Sequence, residues 1–158
     1  MTPQESITLI SKRYPELKFK LSSNFYWDPR TITINYPNPI AYQHSDLSFN
    51  TKLLHELSHG ILGHSSYSSD LNLIKIESAA WALSFQLPKE LSIPASKKVY
   101  QKAIYSYLDW MLSRSSCPEC KKGGLQYKQT TFFCLNCKNA WSVGSSRFKR
   151  PYRTSKIT

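Results

Sequence analysis

Acidic residues almost vanish from the last third of this chain: residues 111–158 hold one, Glu119, against ten Lys and Arg. Residues 1–110 are nearly balanced, with 11 basic against 9 acidic side chains. A one-sided charge of this kind favours a polyanionic partner, most often nucleic acid, over a neutral or acidic one. No apolar run is long enough to cross a bilayer, which excludes a membrane-spanning helix. No charged and then apolar stretch at the N-terminus resembles a signal peptide, so a cytoplasmic protein is expected. Cysteine is scarce, and its four copies form two close pairs instead of a scattered disulfide framework. No internal repeat is visible. With 41% hydrophobic and 13% aromatic residues, the 158-residue chain can bury a core, which excludes a disordered chain.

Histidine is scarce too, yet three of the four copies (His55, His59 and His64) fall within ten residues. The first two belong to His55-Glu56-Leu57-Ser58-His59, an H-E-x-x-H run inside the apolar, helix-compatible stretch Leu53 to Leu62. Residues four apart on an α-helix lie one above the other, so both imidazoles can reach one ion while Glu56 leans over it. Two neutral nitrogens and a carboxylate beside an open coordination position are what zinc-assisted hydrolysis requires. Glu56 is therefore the expected catalytic base, with His55 and His59 as metal ligands.

A catalytic zinc takes a third protein ligand. His64 lies nine residues past His55, about half a turn out of phase on a continuous helix, and would face away unless the helix broke at Gly63. No histidine follows it, so a downstream ligand must be acidic. Glu77 is the best placed, 18 residues past His59 in an otherwise apolar, small-residue stretch where a lone carboxylate is costly unless paired or ligating. Asp70 and His44 are the other candidates.

The remaining patterns predict an α+β chain. Thr2-Pro3-Gln4-Glu5 reads as a capped helix start, with the helix stopping before Pro15. Leu17 to Leu21 and Thr31 to Tyr36 alternate as strands, with turn residues between them over Asn24 to Arg30. The motif helix should open between Ser45 and Asn50 and end near His64. A helix over Leu71 to Leu87 should stop at Pro88, and another should run from Pro94 to Arg114 with Val99, Ala103, Ile104, Tyr107, Leu108 and Met111 on its apolar stripe.

Four cysteines dominate the rest. Cys117-Pro118-Glu119-Cys120 and Cys134-Leu135-Asn136-Cys137 make C-x₂-C-x₁₃-C-x₂-C, a spacing that lets each pair bite one structural zinc while a hairpin returns the chain. It resembles a zinc ribbon. Strands are expected at Leu125–Lys128 and Thr131–Phe133, with Phe133 and Trp141 packed against the site. A closed four-thiolate site leaves no open position, so this metal should fold the module and not catalyse. Lys121, Lys122, Arg147, Lys149, Arg150 and Arg153, interleaved with Phe148 and Tyr152, are the expected nucleic-acid contacts.

The expected division is 1–112 for a metallopeptidase domain, 113–145 for the ribbon and 146–158 for a basic tail. His55-Glu56-Leu57-Ser58-His59-Gly60-Ile61-Leu62-Gly63-His64, followed by Glu77-Ser78-Ala79-Ala80-Trp81-Ala82 and Leu87-Pro88, resembles the ImmA/IrrE metallopeptidases over about residues 1–90. Ser58 stands where the family usually has Gly, and Ser78-Ala79 where it has Ala-Asn. The resemblance implies a zincin-like catalytic domain with the motif helix and a short sheet, and a gluzincin ligand set of His55, His59 and Glu77. It also implies a protein substrate such as a DNA-binding repressor. The SprT-like proteases, which pair H-E-x-x-H with a C-terminal zinc ribbon and act on DNA-crosslinked proteins, are the second resemblance. They use a third histidine well downstream, which this chain lacks. A non-catalytic nucleic-acid-binding protein with two structural metals is the alternative of another class; in it Glu56 would be dispensable. The expected cofactors are thus one catalytic and one structural Zn²⁺.

Overall fold

The first helix, α1 (Pro3–Arg13), begins as its sequence predicts. Thr2 Oγ1 accepts the Glu5 N–H and the Glu5 carboxylate accepts the Thr2 N–H, closing a capping box. The computed structural model describes residues 1–42, 47–145 and 153–155, the last three by backbone alone. Among the described residues, four α-helices and two small sheets give an α+β arrangement. Among the described residues no helix is long and apolar enough to cross a membrane.

The first sheet has the order β1-β3-β2, from β1 (Lys18–Leu21), β2 (Tyr26–Asp28) and β3 (Thr33–Tyr36). β3 is central, parallel to β1 and antiparallel to β2, with Ile34 opposite both Phe19 and Trp27. β2 lies in a stretch that reads as turn residues. A strand of three residues carries too little alternation to show in sequence, and it is held by pairing with β3. The turn uses Asp28, whose carboxylate accepts the Arg30 N–H and the Thr31 hydroxyl. Ile32 takes a left-handed φ of 53°, which explains why β3 opens at Thr33 and not at Thr31.

Helix α2 (Ser48–Ile61) drives Phe49, Leu53, Leu54 and Leu57 into a core with Ile7, Ile10, Ile34, Leu87 and Ile93. Burial at 49, 53, 54 and 57 is the helical period. Helix α3 (Asp70–Leu91) contains Pro88 instead of stopping at it. A proline removes one helical hydrogen bond; here Leu87 and Ile93, both in the core, hold the chain on either side of it. Helix α4 (Lys97–Ser115) follows. Of its expected stripe only Tyr107 is buried, joined by Trp110 and Arg114.

Backbone packing divides the chain into two units: residues 1–66 with 76–102, and residues 67–75 with 103–158. The second unit holds an antiparallel sheet ordered β4-β5-β6-β7. β4 (Leu125–Lys128) and β5 (Thr131–Phe133) fall where the sequence predicts. β6 (Ala140–Val143) adds a third strand. β7 (Arg153–Ser155) pairs with β6 by backbone, in a stretch that reads from sequence only as a basic tail. The core of this unit is Cys117, Phe132, Cys134, Trp141 and Val143. The fully buried Arg114 is its polar anchor. Its guanidinium meets both Asp70 carboxylate oxygens, with Nε 2.6 Å from Oδ2, and also donates to the Gln129 and Gly144 carbonyls. Gln126 completes the network by donating to Asp70.

Candidate metal centres

The first centre is built on one face of α2 and one side chain of α3, all within the first unit. His55 and His59, one turn apart, place their Nε2 atoms 3.2 Å from each other. Glu77, on α3, brings Oε2 to 3.1 Å from His55 Nε2 and 3.7 Å from His59 Nε2. All three side chains are buried. A tetrahedral ion bound at about 2.0–2.1 Å holds neighbouring ligand atoms about 3.3 Å apart, so three nitrogen and oxygen donors at these separations fit one small cation. Of the third-ligand candidates, Glu77 is the one brought to the two histidines. Asp70 is committed to Arg114 instead, and His44 lies outside the described residues.

Burial alone would raise the Glu77 carboxyl, but the His55 and His59 rings hydrogen-bond to it and hold it at about 2, against an ordinary 4.5. The carboxylate is thus anionic at neutral pH, as a ligand must be. Glu56, next to His55, is half-buried on α2. Trp81 lies one turn beyond Glu77 on α3 and stacks flat on His55 at a ring separation of 3.8 Å. Tyr100 meets Trp81 edge-on at 5.8 Å. Through Trp81, Tyr100 is linked to the ring of His55. Tyr42 packs on Phe25 and Phe49, and Tyr26 is exposed on β2. A cavity of about 200 Å³ beside Tyr100 is walled by Thr51, Ser84, Phe85 and Pro88, with Lys89 and Lys97 among its lining residues.

His64 takes a position that helical phase alone does not give. α2 ends in a Schellman turn: the His64 N–H bonds the His59 carbonyl, the Gly63 N–H bonds that of Gly60, and Gly63 sits at φ 64°. The reversal swings the His64 ring back, and its Nδ1 comes to 2.9 Å from His59 Nδ1. His64 is therefore a partner of His59 and no part of the group around His55 Nε2. Burial, with the neighbouring His59, pushes the His64 pKa below its ordinary value, favouring the neutral ring. Gly63 in the sequence marks this break; Trp81, four residues past Glu77, is legible by the same helical spacing.

The second centre lies wholly in the second unit. Cys117, Cys120, Cys134 and Cys137 bring their sulfurs within 4.8 Å of one another. Cys117 to Cys137 is 3.6 Å and Cys120 to Cys134 is 3.5 Å, close to the about 3.8 Å edge of a tetrahedron with 2.3 Å metal–sulfur bonds. The two pairs sit in matching turns. Lys121 N–H returns to the Cys117 carbonyl and Lys138 N–H to that of Cys134, with left-handed φ of 62° and 63°. Cys117 and Cys134 in turn donate their N–H groups to Lys122 and Asn139. Backbone N–H of Lys122 and the Asn136 side chain lower the Cys120 thiol to about 6. At Cys137 the Asn139 N–H favours the thiolate, but burial and the other sulfurs prevail and push it up to about 12. Four sulfurs this close resist full ionisation unless a cation neutralises them.

Phe132 and Trp141 stack beneath this centre at 5.6 Å. Trp141 packs there as its sequence predicts, whereas of the adjacent phenylalanines it is Phe132, not Phe133, that is buried in the core. Alternation along β5 decides which of the two points inward. Lys121 and Lys122 are exposed, and the Lys121 ammonium also reaches the Pro118 carbonyl. Arg153 belongs to β7 by backbone. Arg147, Lys149 and Arg150, with Phe148 and Tyr152, lie outside the described residues. Compared with models of protein families, with curated proteins and with solved structures, the chain gives no match.

Proposed function

We propose that this protein is a zinc-dependent metallopeptidase of the gluzincin kind, similar to the ImmA/IrrE enzymes, whose basic zinc ribbon directs it to nucleic acid or to a nucleic-acid-bound protein. The observation that carries the reading is the meeting of His55 and His59 of α2, the helix that also presents Glu56, with Glu77 of α3 at 3.1 to 3.7 Å. Zinc held by those three supplies a Lewis acid for the scissile carbonyl and lowers the pKa of water to about 7. Glu56 takes the proton of the attacking water and returns it to the leaving amine. Glu77 and the two imidazoles would be three protein ligands, the number with which a catalytic zinc is held. Trp81, stacked on His55, holds that ligand in its rotamer. The cavity lined by Phe85 and Tyr100 offers room for a substrate side chain.

The four cysteines hold a second, structural zinc, and Lys121, Lys122, Arg147, Lys149, Arg150 and Arg153 supply phosphate contacts. The SprT-like reading rests on this module. It yields to the gluzincin reading because an acidic side chain, Glu77, stands where those enzymes use a histidine. The substrate in view is a DNA-binding or DNA-associated protein, and the compartment the cytoplasm.

Zinc stoichiometry by elemental analysis on the wild type and His55→Ala/His59→Ala tests the metal. Two zincs falling to one is the expected result, and a single zinc in the wild type overturns it. Cleavage of a quenched fluorescent peptide library, with Glu56→Gln as the inactive control, tests the chemistry. Cleavage that survives Glu56→Gln would remove Glu56 from its role.

A further inference from the structure

We propose that His64 is a positioning residue for the first metal centre: it accepts the Nδ1 proton of His59 and so fixes the tautomer and ring plane of that ligand. The inference rests on the reading of His55, His59 and Glu77 as a metal site. His59 turns Nε2 toward His55 and Glu77, so Nε2 is its ligating atom and carries no hydrogen when it binds a metal. The proton of the neutral ring then sits on Nδ1, and the atom facing it at 2.9 Å is His64 Nδ1. That contact is a hydrogen bond only if His64 presents a lone pair there and keeps its own proton on Nε2. Each ring is left with one tautomer.

Ligand histidines ordinarily give their second N–H to a carboxylate, a carbonyl or water. Here an imidazole takes that part, and the chain fixes it from two directions. The Schellman turn ties the His64 N–H to the His59 carbonyl, so acceptor and donor belong to one closed loop of backbone. From the sheet, the Trp27 indole N–H donates to the His64 carbonyl at 2.8 Å. Both anchors hold the backbone of His64 and neither uses its side chain. A side-chain substitution therefore removes the acceptor while leaving the turn in place. Helical phase explains why His64 cannot serve as a third ligand; the reversal at Gly63 explains why it can serve as a partner of the second.

The test is the affinity of the first centre for Zn²⁺ in the full chain, measured by chelator competition, with the ribbon's zinc as internal reference. His64→Leu removes the acceptor and His64→Gln restores one through its amide oxygen. The expected result is a 10- to 100-fold loss of affinity in His64→Leu, with most of it recovered in His64→Gln and the ribbon's affinity constant in both. Co²⁺ loaded at the same centre should show visible bands that shift in His64→Leu and return toward wild type in His64→Gln. Wild-type affinity and bands in His64→Leu would overturn the positioning role, as would a His64→Gln protein no better than His64→Leu. If the wild type takes up no metal besides the ribbon's, the metal reading itself fails, which separates the two failures. Should His64→Leu not fold, His64→Gln against wild type decides: Gln accepts but does not reproduce the ring, so affinity below a tenth of wild type goes against the proposal.

Discussion

The indole of Trp81 lies flat on the imidazole of His55, ring centres 3.8 Å apart and planes 14° from parallel. Trp81 is one turn from Glu77 on the same face of α3, so one short helical segment provides both a candidate ligand and the wall that keeps another in place. Removing the ring in Trp81→Ala should cost about 3–5 kcal/mol of stability and weaken metal binding at the first centre. Trp81→Phe, which keeps a stacking face, should lose less of both. Denaturant unfolding and chelator competition on the two variants check this; equal metal affinity in wild type and Trp81→Ala would dismiss the supporting role.

Glu77 has a pH signature of its own. Its carboxyl is held at about 2 in the folded chain, against 4.5 ordinarily. A depressed carboxylate adds stability above its unfolded value and loses it as pH falls toward the folded one. In metal-free protein the stability advantage of wild type over Glu77→Gln should therefore shrink between about pH 4.5 and 2. Denaturant midpoints across that range, wild type minus variant, give the profile. A constant difference would place the effect outside the carboxylate's charge.

The Asp70–Arg114 pair tests the second unit. Arg114 is 1% exposed and Asp70 3%, so Asp70→Asn leaves a buried guanidinium without its counter-charge, a loss of about 3–5 kcal/mol. The unfolding transition of this unit should move to lower denaturant while the first centre keeps its metal. Unchanged unfolding would mean that the carbonyls of Gln129 and Gly144 satisfy Arg114 by themselves.

Gly124 should tolerate no side chain. A Cβ there would meet Trp141 Cη2 at 2.2 Å and the Phe133 carbonyl at 3.0 Å, and Trp141 is fully buried in the core with Cys117 and Cys134. Gly124→Ala should destabilise the ribbon by about 1–3 kcal/mol through overpacking. Thermal unfolding followed by Trp fluorescence measures it.

Metal removal should separate the two centres. Among the described residues the core of the second unit is five residues, two of them cysteines, too small to stand without a metal on the four sulfurs. A strong chelator should unfold the ribbon cooperatively, whereas the first unit, with its larger aliphatic core, should keep its helical circular dichroism. Loss of all helical signal on chelation would contradict this.

By itself the sequence determined what local chemistry can specify. The Thr2–Glu5 box starts α1, the H-E-x-x-H spacing puts two imidazoles on one face of α2, and two Cys-x₂-Cys turns flank a hairpin at the predicted strands. These are contacts between residues a few positions apart, and propensity and periodicity encode them directly. The sequence singled out Glu77 as the best-placed third ligand, and the tertiary structure brought it, not Asp70, to the histidines. Asp70 and Glu77 stand two turns apart on α3, yet Asp70 is taken by Arg114, 44 residues away, and Glu77 remains for the metal centre. Tertiary structure alone decided that a three-residue strand forms from turn-like residues at 26–28 and that α3 continues through Pro88. Each depends on a partner distant in sequence, or on the packing free energy of a core that outweighs one lost hydrogen bond, and neither is written in local pattern.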